Sequence, residues 1–251
     1  MSVVDFLNCV AKYRSLEQLW DGYQEKMAEY GFTRLIYGYT RYKTEKSLGD
    51  PDDFLILSNH GKDYMDGFLR KGLYFHAPMV RWALENEGAC SWSYVHAQLA
   101  QEALSPEAME VVDFNRQLEM TAGYTISFFS FSPRFKGAVS LAAEAGVTQE
   151  QVDAIWEEVG DDIELINNIV HLKILTLPYV PPHRSLTNRQ REALQWVGDG
   201  KTTQDIATIM GLTTATIEKH LRLAREALAV DTSAQAVLKA ALHNQIYQIE
   251  G

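Results

Sequence analysis

Three prolines within nine residues, Pro178, Pro181 and Pro182 in "LPYVPPHRS" (177–185), set the strongest limit on how this chain folds. Each lacks a backbone N–H, fixes φ and steers the residue before it away from helix, so no helix runs through the stretch. It reads as an extended, semi-rigid connector. The chain of 251 residues therefore divides into a front domain of 1–176, a linker of 177–185 and a tail domain of 186–251. Both domains are large enough to hold cores of their own.

Charge divides at the same place. The formal charge is −10 overall, and residues 184–251 hold eight basic and seven acidic side chains, which leaves −11 on the front. The front repels polyanions, while a near-neutral tail can still gather cations on one face. No apolar run approaches the ~20 residues of a membrane span. The start, "MSVVDFLNCVAKY", has no basic leader ahead of an apolar core. Two cysteines, Cys9 and Cys90, make no disulfide framework. The expectation is a cytoplasmic chain with no membrane partner.

The front carries an α+β pattern. "SLEQLWDGYQEKMAEYG" opens on a capping box, Ser15 with Gln18, carries Leu19, Trp20, Tyr23, Met27 and Tyr30 at helical spacing, and ends at Gly31. "TRLIYGYTRY" (33–42) and "DFLILS" (53–58) are rich in β-branched and aromatic residues and read as strands. Residues 62–71 and 78–87 read as short helices, and Ser105-Pro106 opens another to about 119. "YTISFFSFS" and "KGAVSLAAE" read as a hairpin around Pro133 and Gly137. Thr148 and Gln151 cap a long helix to about 177, with Val152, Ile155, Val159, Ile163, Ile166, Val170 and Ile174 along one stripe. Helices before, between and after antiparallel strands predict a sheet covered on both faces, able to hold a small molecule between sheet and helices.

The tail reads as helices alone. Thr187 and Gln190 cap the first, which runs through about Val197 and ends at Gly198 and Gly200. The second covers about 203–210, Gly211-Leu212 makes a turn, and Thr213 caps a third to about Ala229. Ile217, Leu221, Ala224 and Leu228 share one face of that third helix. Thr214, Glu218, Lys219, Arg222 and Arg225 lie on other faces. Polar residues projecting from a helix N-terminus fit a major groove, and the N-terminus itself suits phosphate. The same pattern also fits a small helical packing domain with a solvated charged face. His60, His76, His96 and Cys90 lack metal-ligand spacing. No Gly-rich phosphate loop, nucleophile elbow or paired-carboxylate motif is present, so neither a catalytic residue nor a cofactor is expected.

"LTNRQREALQWVGDGKTTQDIATIMGLTTATIEKHLRLAREALAV" resembles the four-helix DNA-binding domain of LuxR-type transcription factors, with Leu194, "GKT" at 200–202, "DIA" at 205–207 and "HL" at 220–221 in register. The front resembles the autoinducer-binding domain of the quorum-sensing members, through "GFTRLIYG", "FLRKGLYFHAPMV", "SW" at 91–92, "GYTIS" and "GAVSLA". The resemblance implies an α+β chain: an N-terminal α/β/α sandwich on an antiparallel sheet, then an all-α four-helix helix-turn-helix domain. It implies a homodimer that binds double-stranded DNA at an inverted repeat, answers a small-molecule signal and contacts RNA polymerase. Ile36, Gly38, Tyr64, Phe68, Ala77, Met79, Trp92, Thr125 and Ser140 fall where the family meets its ligand. Thr202, Thr213, Thr214, Thr216, Glu218, Lys219, Arg222 and Arg225 fall on the DNA-reading part.

The chain departs from the family pattern at three positions. Tyr64 stands where a Trp usually donates to the lactone carbonyl of an acyl-homoserine lactone. Ala77 stands where an Asp usually accepts from that ligand's amide N–H. Gln190 replaces a Glu and keeps its capping chemistry. His76 could supply the missing acceptor only by turning inward beside Ala77, against the rule that neighbours point apart. The expected signal is therefore not an ordinary acyl-homoserine lactone. Two alternatives stand: a regulator without ligand control, worked by dimerisation or a protein partner, and a sandwich-fold enzyme fused to a DNA anchor.

Overall fold

A computed structural model describes residues 1–45, 47–181 and 184–246. Linker positions 182 and 183 and the tail's last residues, 247–251, lie outside the described set. The chain forms two compact units, one of 1–50 with 54–175, the other of 51–53 with 176 onward.

The first unit is built on one five-stranded antiparallel sheet of order β2-β1-β5-β4-β3. The strands are β1 (Phe32–Thr40), β2 (Leu55–Ser58), β3 (Gly88–Ser91), β4 (Gly123–Ser127) and β5 (Lys136–Ala143). One face is covered by α1 (Val3–Lys12), α2 (Leu16–Ala28) and the long α7 (Gln149–Thr176). This side is a packed core tied by a few buried polar bonds. The Tyr37 hydroxyl meets His171 Nδ1 at 2.8 Å, Tyr23 donates to Asn167 Oδ1, and Tyr124 stacks on Trp156 at 3.8 Å. The other face carries α3 (Lys62–Met65), α4 (Pro78–Glu85), α5 (Ser93–Ala100) and α6 (Pro106–Gln117).

Several local expectations shift. The helix read over 62–71 is α-helical only to Met65, widens into a π turn over Asp66–Arg70, and ends where Gly72 turns left-handed at φ +80°. The strand read from residue 53 starts at Leu55, because Pro51–Asp53 coil into a 3-10 turn. The hairpin is longer than read. β4 stops at Ser127, residues 128–135 form the loop with Phe129 and Phe131 exposed, and Gly137 sits inside β5. At Ser15, Gln18 N–H donates to the serine hydroxyl, but the Gln18 side chain reaches Arg14 N–H instead of closing the box. β3 and α5 have no strong local pattern, whereas α1 opens on a Ser2 cap and buries Phe6 and Val10 on one face, a signal the sequence reading missed.

Gly123 explains how β4 and β5 pair so closely. A Cβ there would collide with the Leu141 carbonyl and come within 3.1 Å of the Trp92 ring. Gln149 closes the same place by accepting from Gly123 N–H at 2.9 Å.

The second unit holds α8 (Asn188–Gly198), α9 (Thr203–Met210), α10 (Thr214–Leu228) and α11 (Ser233–Leu242). Its core gathers Leu194, Ile206, Ile217, Leu221, Ala224 and Leu228. Thr187 and Gln190 close a complete capping box at α8, as do Thr202 and Asp205 at α9. Gly211 ends α9 at φ +65°, a conformation that favours glycine and sets the turn into α10.

Candidate functional site

Between the sheet and α3–α6 lies a cavity of about 400 Å³, a volume suited to a small molecule. Its floor follows from strand register. Ile36 pairs with Ser140, Ser140 with Thr125 and Thr125 with Cys90, so one row of side chains crosses the sheet on this face. Gly38 pairs with Ala138 beside that row and keeps the floor low.

The roof is aromatic and aliphatic. Tyr64 is 7 % exposed and sits in a stack, its ring 4.1 Å from His60, 5.1 Å from Phe68 and 5.7 Å from Phe114. Burial pushes the Tyr64 hydroxyl well above the usual tyrosine range, so it stays protonated. Burial, helped by the charge of Arg34, pushes His60 down to about 4, so the stacked imidazole is neutral near pH 7. Trp92 Nε1 donates to Thr125 Oγ1 at 3.0 Å. That bond uses the indole N–H and leaves the threonine hydroxyl its own proton to offer.

The structure brings Ile36, Gly38, Tyr64, Phe68, Ala77, Met79, Trp92, Thr125 and Ser140 together around this one cavity, some on its floor and some on its roof. Ala77 is 6 % exposed and is the N-cap of α4, with Pro78 behind it and no side-chain cap bond. His76 is exposed and does not line the cavity, so it supplies no acceptor there. The reading from sequence missed Tyr74, Asn115, Val111 and Met120, which also line it. A polar Asn115 one helical turn on from Val111, on the buried stripe of α6, was the available signal. Arg34 fixes the end of that helix by donating to the carbonyls of Leu118 and Glu119, each at 2.6 Å.

In the second unit α10 buries Ile217, Leu221, Ala224 and Leu228 and turns Glu218, Lys219 and Arg222 outward. Thr213 caps α10, accepting from Thr216 N–H at 3.2 Å, and the Thr213 and Thr216 hydroxyls meet at 2.8 Å. Thr214 donates to Gln204 at 3.2 Å and so couples α10 to α9. Thr202 holds the start of α9 through Asp205. Arg225 is partly buried and donates to Ser233 at the start of α11. Arg222 has acids one turn away on both sides, Glu218 and Glu226, and Glu218 would pair with it if it read no base. Instead Arg222 donates to Glu226 at 2.6 Å, one turn on and further from the helix N-terminus. Among the described residues no His/Cys/Asp/Glu group could hold a metal ion, and no helix is long and apolar enough to cross a membrane.

Residues 15–174 match the family described as "Autoinducer binding domain", and residues 184–240 match "Bacterial regulatory proteins, luxR family". The chain is 23 % identical over 246 residues to the transcriptional activator protein AnoR of Acinetobacter nosocomialis, covering 95 % of this chain and 96 % of that relative. It is 22 % identical over 220 residues to the transcriptional activator protein LuxR of Aliivibrio fischeri, covering 87 % and 82 %. Among solved structures it is similar in fold to the N-acylhomoserine lactone dependent factor CepR2 of Burkholderia cenocepacia, with TM-score 0.52 at 11 % identity over 68 % of this chain and 93 % of that one. The chain belongs to the LuxR family: it is an autoinducer-binding transcriptional regulator with a LuxR-type helix-turn-helix, and not an enzyme.

Proposed function

We propose that this regulator works as a homodimer in the cytoplasm, binds an inverted DNA repeat, engages RNA polymerase, and answers a signal other than an ordinary acyl-homoserine lactone. Residues 1–176 act as the sensor, 177–185 as the linker and the residues from 186 as the DNA reader. The nine cavity residues named from the sequence hold the signal, and Thr202, Thr213, Thr214, Thr216, Glu218, Lys219, Arg222 and Arg225 form or support the DNA-facing surface.

One observation carries the signal assignment. Ala77 lies in the cavity wall with a methyl group and no acceptor. A lactone amide N–H placed there goes unmet, which costs about 1–3 kcal/mol, one to two decades in affinity. Dimerisation is supported by electrostatics: one small helix-turn-helix makes few base contacts, and the acidic front opposes binding. Two copies double the contacts, with half-sites about one helical turn apart.

A reporter carrying the operator, in a host that makes no signal, tests this. Extract of the native culture is expected to switch it, and lactones of varied chain length are expected to act weakly or not at all. Strong activation by nanomolar lactone overturns the signal assignment, and full occupancy of a single half-site by a monomer overturns the dimer.

A further inference from the structure

The start of α10 carries three threonine hydroxyls, on Thr213, Thr214 and Thr216. Two of them are engaged with each other. Thr213 Oγ1 accepts from Thr216 N–H at 3.2 Å, and the Thr213 and Thr216 hydroxyls meet at 2.8 Å. The third, on Thr214, donates to Gln204 Oε1 at 3.2 Å, a bond that spans the turn between α9 and α10. A hydroxyl has one proton and two lone pairs. With its proton given to Gln204, Thr214 can only accept from a further partner.

Gln204 is exposed on the first turn of α9. Besides the oxygen that meets Thr214, its carboxamide has two N–H donors. A DNA phosphate at the start of α9 accepts from such donors, and so keeps the oxygen turned to Thr214.

Thr214 and Glu218 lie one turn apart on one flank of α10, beside the face that buries Ile217, Leu221, Ala224 and Leu228. Four residues of helix advance about 6 Å, which is between one and two steps of about 3.4 Å along a DNA strand. Arg222, the cation one turn beyond Glu218, is bonded to Glu226 instead. The flank therefore presents a hydroxyl acceptor and then a carboxylate. In the major groove acceptors meet the amino groups of adenine and cytosine, whereas guanine and thymine present carbonyl oxygens there.

We propose that Thr214 is a specificity-determining residue and that Gln204 is the positioning residue that holds it as an acceptor. Together they make α10 select an amino-bearing base, adenine or cytosine, one or two steps from the base met by Glu218. This inference rests on the reading of α10 as the helix that enters the major groove.

The test enriches a random-sequence DNA duplex library on the full chain, with extract of the native culture present, and sequences what is retained. Glu218→Ala marks the position that Glu218 sets. The parent is expected to favour adenine or cytosine about three- to tenfold at one further position of each half-site. Thr214→Val keeps the shape without the hydroxyl, and should abolish that preference while leaving the Glu218 position as it was. In Gln204→Lys the ammonium can only donate, which frees the Thr214 proton and should admit guanine and thymine at the same position. In Gln204→Glu the carboxylate can only accept, and the parent's preference should persist at a lower affinity on every sequence.

The inference is overturned, and the reading of α10 as the DNA reader stands, if Thr214→Val changes no position or if the position it changes favours guanine or thymine in the parent. The same follows if Gln204→Lys alters affinity evenly on all sequences, which reduces the bond to a brace between two helices, or if Gln204→Glu loses the preference as well. A parent that enriches no sequence overturns the inference and the reading of α10 together.

Discussion

Replacing Ala77 by Asp should turn the cavity towards acyl-homoserine lactones. The new carboxylate would face a buried amide N–H that the methyl group leaves unmet, so the gain is about 1–3 kcal/mol, or one to two decades in half-maximal lactone concentration. Stability moves less than burial alone suggests. Position 77 is the N-cap of α4, extended at φ −65° and ψ 121°, with no side-chain cap at present. An Asp there can accept from the free N–H groups of the first turn, worth about 0.5–2 kcal/mol. The positive end of the helix adds about 0.3–1 kcal/mol. Against this stands the burial of a carboxylate at a site 6 % exposed, which costs several kcal/mol before these bonds form. The balance predicts a loss of no more than about 2 kcal/mol, a drop of several degrees in melting temperature. Ala77→Asn keeps the cap without the charge. It should melt at or above the parent and gain less lactone response, because neutral hydrogen bonds are weaker than charge-assisted ones. The assay pairs a reporter in a signal-free host with thermal melts of purified protein, adding Tyr64→Trp to Ala77→Asp in a third arm. An Ala77→Asp protein that folds, yet answers lactones no better than the parent, refutes the reasoning.

Three further outcomes are expected. Glu218→Ala should relax preference at one symmetric pair of operator positions and cost about 1–3 kcal/mol on the preferred site, if the carboxylate accepts from a cytosine amino group; a uniform gain on all sequences in a binding selection would show that it only repels phosphate. Gly123→Ala should destabilise the front unit by about 1–3 kcal/mol, read by chemical unfolding, because its Cβ meets the Leu141 carbonyl within a paired strand; an unchanged midpoint contradicts this. His171 is held down to about 4 by burial, so the unfolded chain binds the extra proton first and stability falls as pH drops from about 6.5 towards 4. His171→Gln should flatten that part of the stability profile, and an unchanged slope would place the acid sensitivity elsewhere.

The helices of the tail were legible because their signals are local. Thr187, Thr202 and Thr213 each cap a helix, Gly211 supplies a left-handed turn, and Ile217, Leu221, Ala224 and Leu228 mark one face. The nine cavity residues came from family resemblance, and strand register shows why four of them meet: Ile36, Ser140 and Thr125 stand in one cross-strand row, and Trp92 is bonded to Thr125. The short elements were not legible. β3 has four residues and pairs only through β4, and α5 buries no residue fully, so neither has a strong period of its own. Asn115 and Tyr74 escaped for a different reason. A lone polar residue on a helix stripe has no period of its own, and its place beside the cavity shows only once the elements are packed. Arg222 likewise had acids one turn away on both sides, Glu218 and Glu226, and spacing alone does not choose between them.

The intact mass of the full chain, purified from its own host without denaturation, tests the reading of this regulator most directly. The expected result is a small-molecule adduct at one per chain, releasing on denaturation a compound that is not an acyl-homoserine lactone and that switches operator binding when added back. A bare chain that binds its operator at full affinity, or an adduct that proves to be an ordinary acyl-homoserine lactone, contradicts it.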